Sequence, residues 1–263
     1  MSESFNIHRL GFLIRNDIIS SYRSVLVASL TLMSIMLLNS MLNVGFDKGE
    51  GYFYQVWFGG MVIIWGSIAA SDAFKELHDK TCNHEFLLLP ASALEKTLSR
   101  LVFVTIALIS YILVFTFVAS LVVEAINELV FSRSNSLFRP FDPIVWKLIP
   151  HVIVMQSLFF LGAAWSRKGR WLKTTMVSTI IVIGLLIFAM IIFRIIFSQY
   201  FDGFHMSGNH SFELNAKSVY LANKDPIQII WTSLKLLYFF VLPFFCWSVA
   251  WLRLRETEVS HGV

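Results

Sequence analysis

The residues able to bind a metal or move a proton are few in this chain, and their spacing limits what they can do. Asp202, His205 and His210 lie in one segment and carry metal-ligand chemistry. The plainer reading is that such lone polar groups in a loop are solvated by water. Asn209, His210 and Ser211 match a glycosylation acceptor, which has no meaning in a bacterial cell. Cys82 and Cys246 are far apart, and Cys246 sits inside an apolar run, so neither a disulfide nor a zinc-type spacing is expected. Glu124 and Glu128 stand one helical turn apart just beyond an apolar run, where they read as a helix-end cap or as an anionic vestibule. Lys235 falls near the outer end of the last apolar run. It either snorkels to the interface or marks a functional position, the default reading of an intramembrane charge. The phosphate-binding loop, the H-E-x-x-H zinc motif, the G-x-S-x-G elbow and the glycine-rich dinucleotide fingerprint are all missing from the sequence. The chain therefore reads as no enzyme, with no catalytic residue, cofactor or metal of its own. No polar cluster is expected to converge within the apolar runs, which places a membrane-embedded enzyme last among the alternatives.

The elements that position these groups follow from composition. The chain is 56% hydrophobic and 14% charged, with a mean hydropathy of +0.68. A soluble domain carries about 25% charge and about 45–50% apolar residues. The difference selects an all-α polytopic membrane protein. On a soluble protein the net charge of +4 would raise nucleic acid as a partner. Here the basic residues cluster at the ends of apolar runs, so they report topology, and the surrounding partner is lipid.

About 20 apolar residues cross a bilayer as a helix. Six runs qualify, near 24–46, 51–71, 101–123, 148–166, 174–193 and 227–252. They are too long for barrel strands and lack the alternation of such strands. Thirteen Lys and Arg flank one side and seven flank the other. The basic side is expected to be the cytoplasm, with both termini there. Residues 1–23 mix Phe5, Leu10, Leu13, Ile14 and Ile18 with Arg9, Arg15, Asp17 and Arg23. That mixture suits a helix lying in the interface plane. No cleavable signal pattern precedes the first run, which is expected to act as its own uncleaved signal.

The stretch "DAFKELHDKTCNHEFLLLPASALEKTLSR", residues 72–100, separates the second and third runs. Residues 72–80 favour a helix. Lys75 pairs with Asp79 and Glu76 with Lys80 at the i, i+4 spacing, and Phe74, Leu77 and His78 form an apolar edge. Pro90 should break the chain near Leu89. Ser92 and Glu95 then form a capping-box pattern that starts a new helix into the third run. The residues alone leave two readings of this corner, a surface anchor for the loop and a docking surface for a cytoplasmic partner.

The motifs "FKELHDK", "FLLLPAS", "LEKTLSR" and "WSRKGRWLKT" resemble those of the permease subunit of a type-2 ABC transporter. The resemblance covers the whole chain in topology and about forty residues in motif. It implies a bacterial inner-membrane exporter subunit that works with a separate cytoplasmic ATPase and a second permease copy, identical or related. ATP and Mg would be bound by the ATPase, whose presence would explain the missing phosphate loop. Lys75, Glu76, Lys80 and Glu85 would lie on or beside a coupling helix, with Lys96 just beyond it. Pro90, Ser92 and Glu95 would set the break and start the third-span helix. Arg167, Lys168, Arg170 and Lys173 would form the second cytoplasmic loop, facing the ATPase or lipid headgroups. The alternative is a membrane sensor or immunity protein that transports nothing and needs no ATPase.

Overall fold

The computed structural model describes residues 6–45, 52–78, 91–132, 135–166, 169–196 and 232–260. All of the regular structure among them is helical, and six helices are long and apolar enough to cross a membrane. Helix α1 is Ile7–Gly45, α2 is Phe53–Asp72 and α3 is the short Lys75–His78. The third span combines α4 (Ala93–Val102), a π-helical turn at Phe103–Ala107 and α5 (Leu108–Phe131). Helix α6 is Pro143–Trp165, α7 is Arg170–Ile196, and α8 (Leu242–Ser260) follows a second π turn at Leu237–Val241.

Helix α1 joins what the sequence divides at residue 23. Residues 20–26 read "SSYRSVL" and contain neither Gly nor Pro, so nothing stops the helix between the surface segment and the first span. At 39 residues it is about 58 Å long, against a hydrocarbon core of about 30 Å. One end must therefore extend well beyond the core. The third span is also longer than the apolar run at 101–123, because it continues unbroken to Phe131 and ends at Ser132 in the left-handed conformation (φ 52°). Glu124 and Glu128 thus lie within a helix and do not cap its end. Helix α6 starts at Pro143, with Asp142 accepting from the Ile144 N–H at 2.9 Å, and it carries Pro150 inside.

Helices α2 and α6 form the central pair, flanked by the third span, α7 and α8. Close approach there depends on small residues. A Cβ on Gly66 would lie 2.5 Å from Gln156 Nε2, and one on Gly162 would lie 2.0 Å from Thr174 Oγ1. In lipid, tight packing and interhelical hydrogen bonds hold helices together, because the bilayer is as apolar as a leucine face. Two buried clusters mark the two ends of the bundle. Tyr54, Phe58, Ile112, Val123 and Phe138 belong to one, and Phe74, Phe160, Ala163, Ala250 and Leu254 to the other.

Candidate functional site

The corner before the third span is built from local sequence upward. Helix α2 ends at Asp72, and a turn at Ala73 and Phe74 leads into α3. Phe74 and Leu77 are buried, and the Phe74 ring meets Phe160 edge-on at 4.9 Å. This fixes α3 against α6 through the apolar edge expected from the sequence. Ser92 adopts extended backbone (φ −68°, ψ 154°) and caps α4. Its Oγ accepts from the Glu95 N–H at 3.2 Å, and Glu95 Oε2 accepts from the Ser92 N–H at 2.9 Å, completing the capping box.

Glu95 also joins two helix starts. Its Oε1 accepts from the backbone N–H of Asn6, just before α1, at 2.6 Å. One fully buried carboxylate therefore serves the positive ends of both α1 and α4.

Arg100 ties the corner together one turn further along. Its guanidinium lies 3.3 Å from Asp17 of α1 and donates to Glu76 of α3 at 2.7 Å. Ser99 Oγ donates to the other Asp17 oxygen at 2.8 Å. Asp17 is 4% exposed. On the opposite flank Arg170 donates to Asp72 at 2.9 Å, and Trp171 Nε1 donates to Ser67 Oγ at 2.9 Å, so the start of α7 is pinned to the end of α2.

Of the residues singled out in the sequence, Lys75 is exposed and Glu76 half-buried at the corner, while Ser92, Glu95 and Lys96 sit at its base, with Glu95 and Lys96 buried. Arg170 reaches the corner through Asp72, and Lys173 is exposed on the first turn of α7. Lys80, Glu85, Pro90, Arg167 and Lys168 lie outside the described residues, as do Asp79, Cys82, Asp202, His205 and His210. Glu76 takes Arg100 as partner across 24 residues. Asp17, Asp72 and Arg100 are central to the corner without having been singled out as site residues. For Asp17 the available signal was an acid in an otherwise Arg-rich amphipathic segment.

The opposite end of the bundle overturns the expectation that no polar residues converge in the spans. Glu124 is 5% exposed, while Glu128 faces outward. The hydroxyls of Tyr54 and Ser40 donate to Glu124 Oε1, the latter at 3.1 Å. The amides of Asn127 and Asn135 reach the same oxygen at 3.3 Å, and the Asn135 N–H donates to Oε2 at 2.6 Å. Ser40 Oγ accepts from Asn127 at 2.8 Å and Asn135 at 3.0 Å. This is a cage of neutral donors around one carboxylate, drawn from α1, α2, α5 and the segment after α5. Phe138 of that segment inserts beside Phe58, with ring centroids 5.5 Å apart. Lys235 is exposed near the start of the last helix, and Cys246 is buried as a free thiol. Among the described residues no three His, Cys, Asp or Glu stand close enough to hold a metal ion.

No protein-family model, curated protein or solved structure matches this chain.

Proposed function

We propose that the chain is the membrane-spanning permease subunit of an ATP-driven ABC exporter, with its Lys75 corner docked on a separate cytoplasmic ATPase. Two permease copies, identical or related, would pair with two ATPase subunits in a bacterial inner membrane, both chain termini facing the cytoplasm. The chain supplies the path and the lever, and ATP and Mg belong to the partner. The observation that supports this reading best is Arg100, which bonds α1 through Asp17 and α3 through Glu76 from the base of the third span. A push on the exposed Lys75 face of α3 would reach the third span and α1 together. The sequence likeness of "FKELHDK" and "FLLLPAS" names the source of the push.

The test is to look for a Walker-motif ATPase encoded beside this gene, whose absence would count against the reading, and to co-express it with this chain for affinity capture of either partner. Wild type should hold the ATPase. Reversing Lys75 and Lys80 to Glu should weaken capture and uncouple ATP hydrolysis from transport. Lack of capture by the wild-type pair, or reversals without effect, would sink the reading. Glu76 is a poorer probe, since reversing it also breaks its bond to Arg100.

A further inference from the structure

Three hydrogen-bonded rungs join α1 to the third span at three depths. Asp17 accepts from Ser99 near one end, Ser29 Oγ lies 2.6 Å from Tyr111 Oη midway, and Ser40 donates to Glu124 near the other end. The partners are 82, 82 and 84 residues apart in sequence, so the two helices run parallel and hold one register. From Asp17 to Ser40 the seam covers about 35 Å at the α-helical rise, close to the thickness of a bilayer core, about 30 Å. Asp17 and Ser29 are 4% exposed and Ser40 is fully buried. Apolar faces slide past each other in lipid at little penalty, because tail and side chain are alike. A buried polar rung resists sliding, since each broken bond orphans a donor or acceptor away from water. Rungs at three depths resist tilting as well.

We propose that α1 and the third span form one rigid two-helix beam that carries movement of the Arg100 corner to the Glu124 end of the bundle. The inference rests on the coupling reading above for the origin of the movement, while the rigidity is a property of this chain alone. The moving parts at the far end are then the groups that meet the beam from outside it, Tyr54 of α2 and Asn135 of the 135–142 strap, both bound to Glu124.

Hydrogen–deuterium exchange on the purified chain in lipid nanodiscs tests the beam without an ATPase. Glu124→Ala should raise exchange severalfold at the Glu124 end and also across 92–100 at the opposite end. A rise confined to 124–142 overturns the beam and leaves Glu124 as a local clasp. Glu124→Gln, of nearly the same shape, takes the place of the alanine variant if that one fails to fold, with the same two outcomes. A second arm uses Ser29→Cys with Tyr111→Cys in a Cys82→Ser, Cys246→Ala background, joined by a short bis-maleimide. In complex with the ATPase, linked protein should retain ATP-coupled activity to within about twofold of a control treated with a mono-maleimide. A tenfold loss on linking overturns rigidity. Lack of ATPase association condemns the functional reading but leaves the exchange result standing.

Discussion

Glu95 and Asp17 are two buried carboxylates whose value to the fold lies in the donors they hold. Glu95 accepts from the backbone N–H groups of Asn6 and Ser92, and Asp17 accepts from Ser99 and faces Arg100. Glu95→Ala leaves both N–H groups without this partner and should lower the melting temperature of the detergent-solubilised protein, by the equivalent of about 2 kcal/mol. A variant as stable as wild type would contradict the double cap. Ser92→Ala should cost about 1 kcal/mol, the usual loss of an N-cap. Arg100→Ala leaves the buried Asp17 carboxylate with Ser99 but no cation, for which roughly 3 kcal/mol is a fair expectation. Asp17→Ala should cost less, because Arg100 keeps its bond to Glu76, and replacing both with Leu should cost less than Arg100→Ala alone. The check is a double-mutant cycle by thermal unfolding, and simple additivity would show that the two groups do not act as a pair.

The elements separate what local sequence can reveal from what it cannot. The Ser92 and Glu95 cap was legible because its two groups are three residues apart and its chemistry is complete within one turn. The bond of Asp17 to Ser99 spans 82 residues, and no local pattern marks it. The six spans follow from apolar length alone, whereas the ends of α1 and α5 depend on the absence of a breaker. The cage around Glu124 was missed because Ser40 and Tyr54 are single polar residues within two apolar runs, Glu124 and Asn127 lie just past the end of a third, and only packing brings them together. The contact of α6 with α7 is similar. Gly162 faces Thr174, whose Cβ and Cγ2 would lie 2.9 Å and 2.7 Å from an added Cβ. Thr174 cannot swing away freely, since its hydroxyl donates to the Arg170 carbonyl at 2.8 Å. Gly162→Ala should therefore force the helices apart and cost about 1–3 kcal/mol. Adding Thr174→Gly should recover part of that loss. A stable single Gly162→Ala variant would mean that α7 sits farther from α6 than described.

Across the whole molecule, the two polar assemblies lie at opposite ends of the same helices. The Asp17 end gathers Arg100, Arg170 and Arg253, and Arg253 also stacks on Trp165 at 5.2 Å. The Glu124 end satisfies its buried carboxylate with hydroxyls and amides. The arginines gathered at the Asp17 end, with the excess of Lys and Arg on that side of the sequence, are the basis for proposing that this end faces the cytoplasm. Single cysteines at Lys75, Lys173 and Phe141 in a background without native cysteines can decide this, since all three positions are exposed. In intact cells, a membrane-impermeant maleimide should label the cysteine at 141 and spare those at 75 and 173 until the membrane is opened. Labelling of 75 and 141 from the same side would break the six-span topology. Labelling of 75 and 173 from outside, with 141 protected, would invert the orientation. The inverted result would place the Lys75 corner where no cytoplasmic ATPase could reach it, and the proposed function would fall with it. The register between α1 and the third span would be unchanged, because it depends only on contacts within the chain.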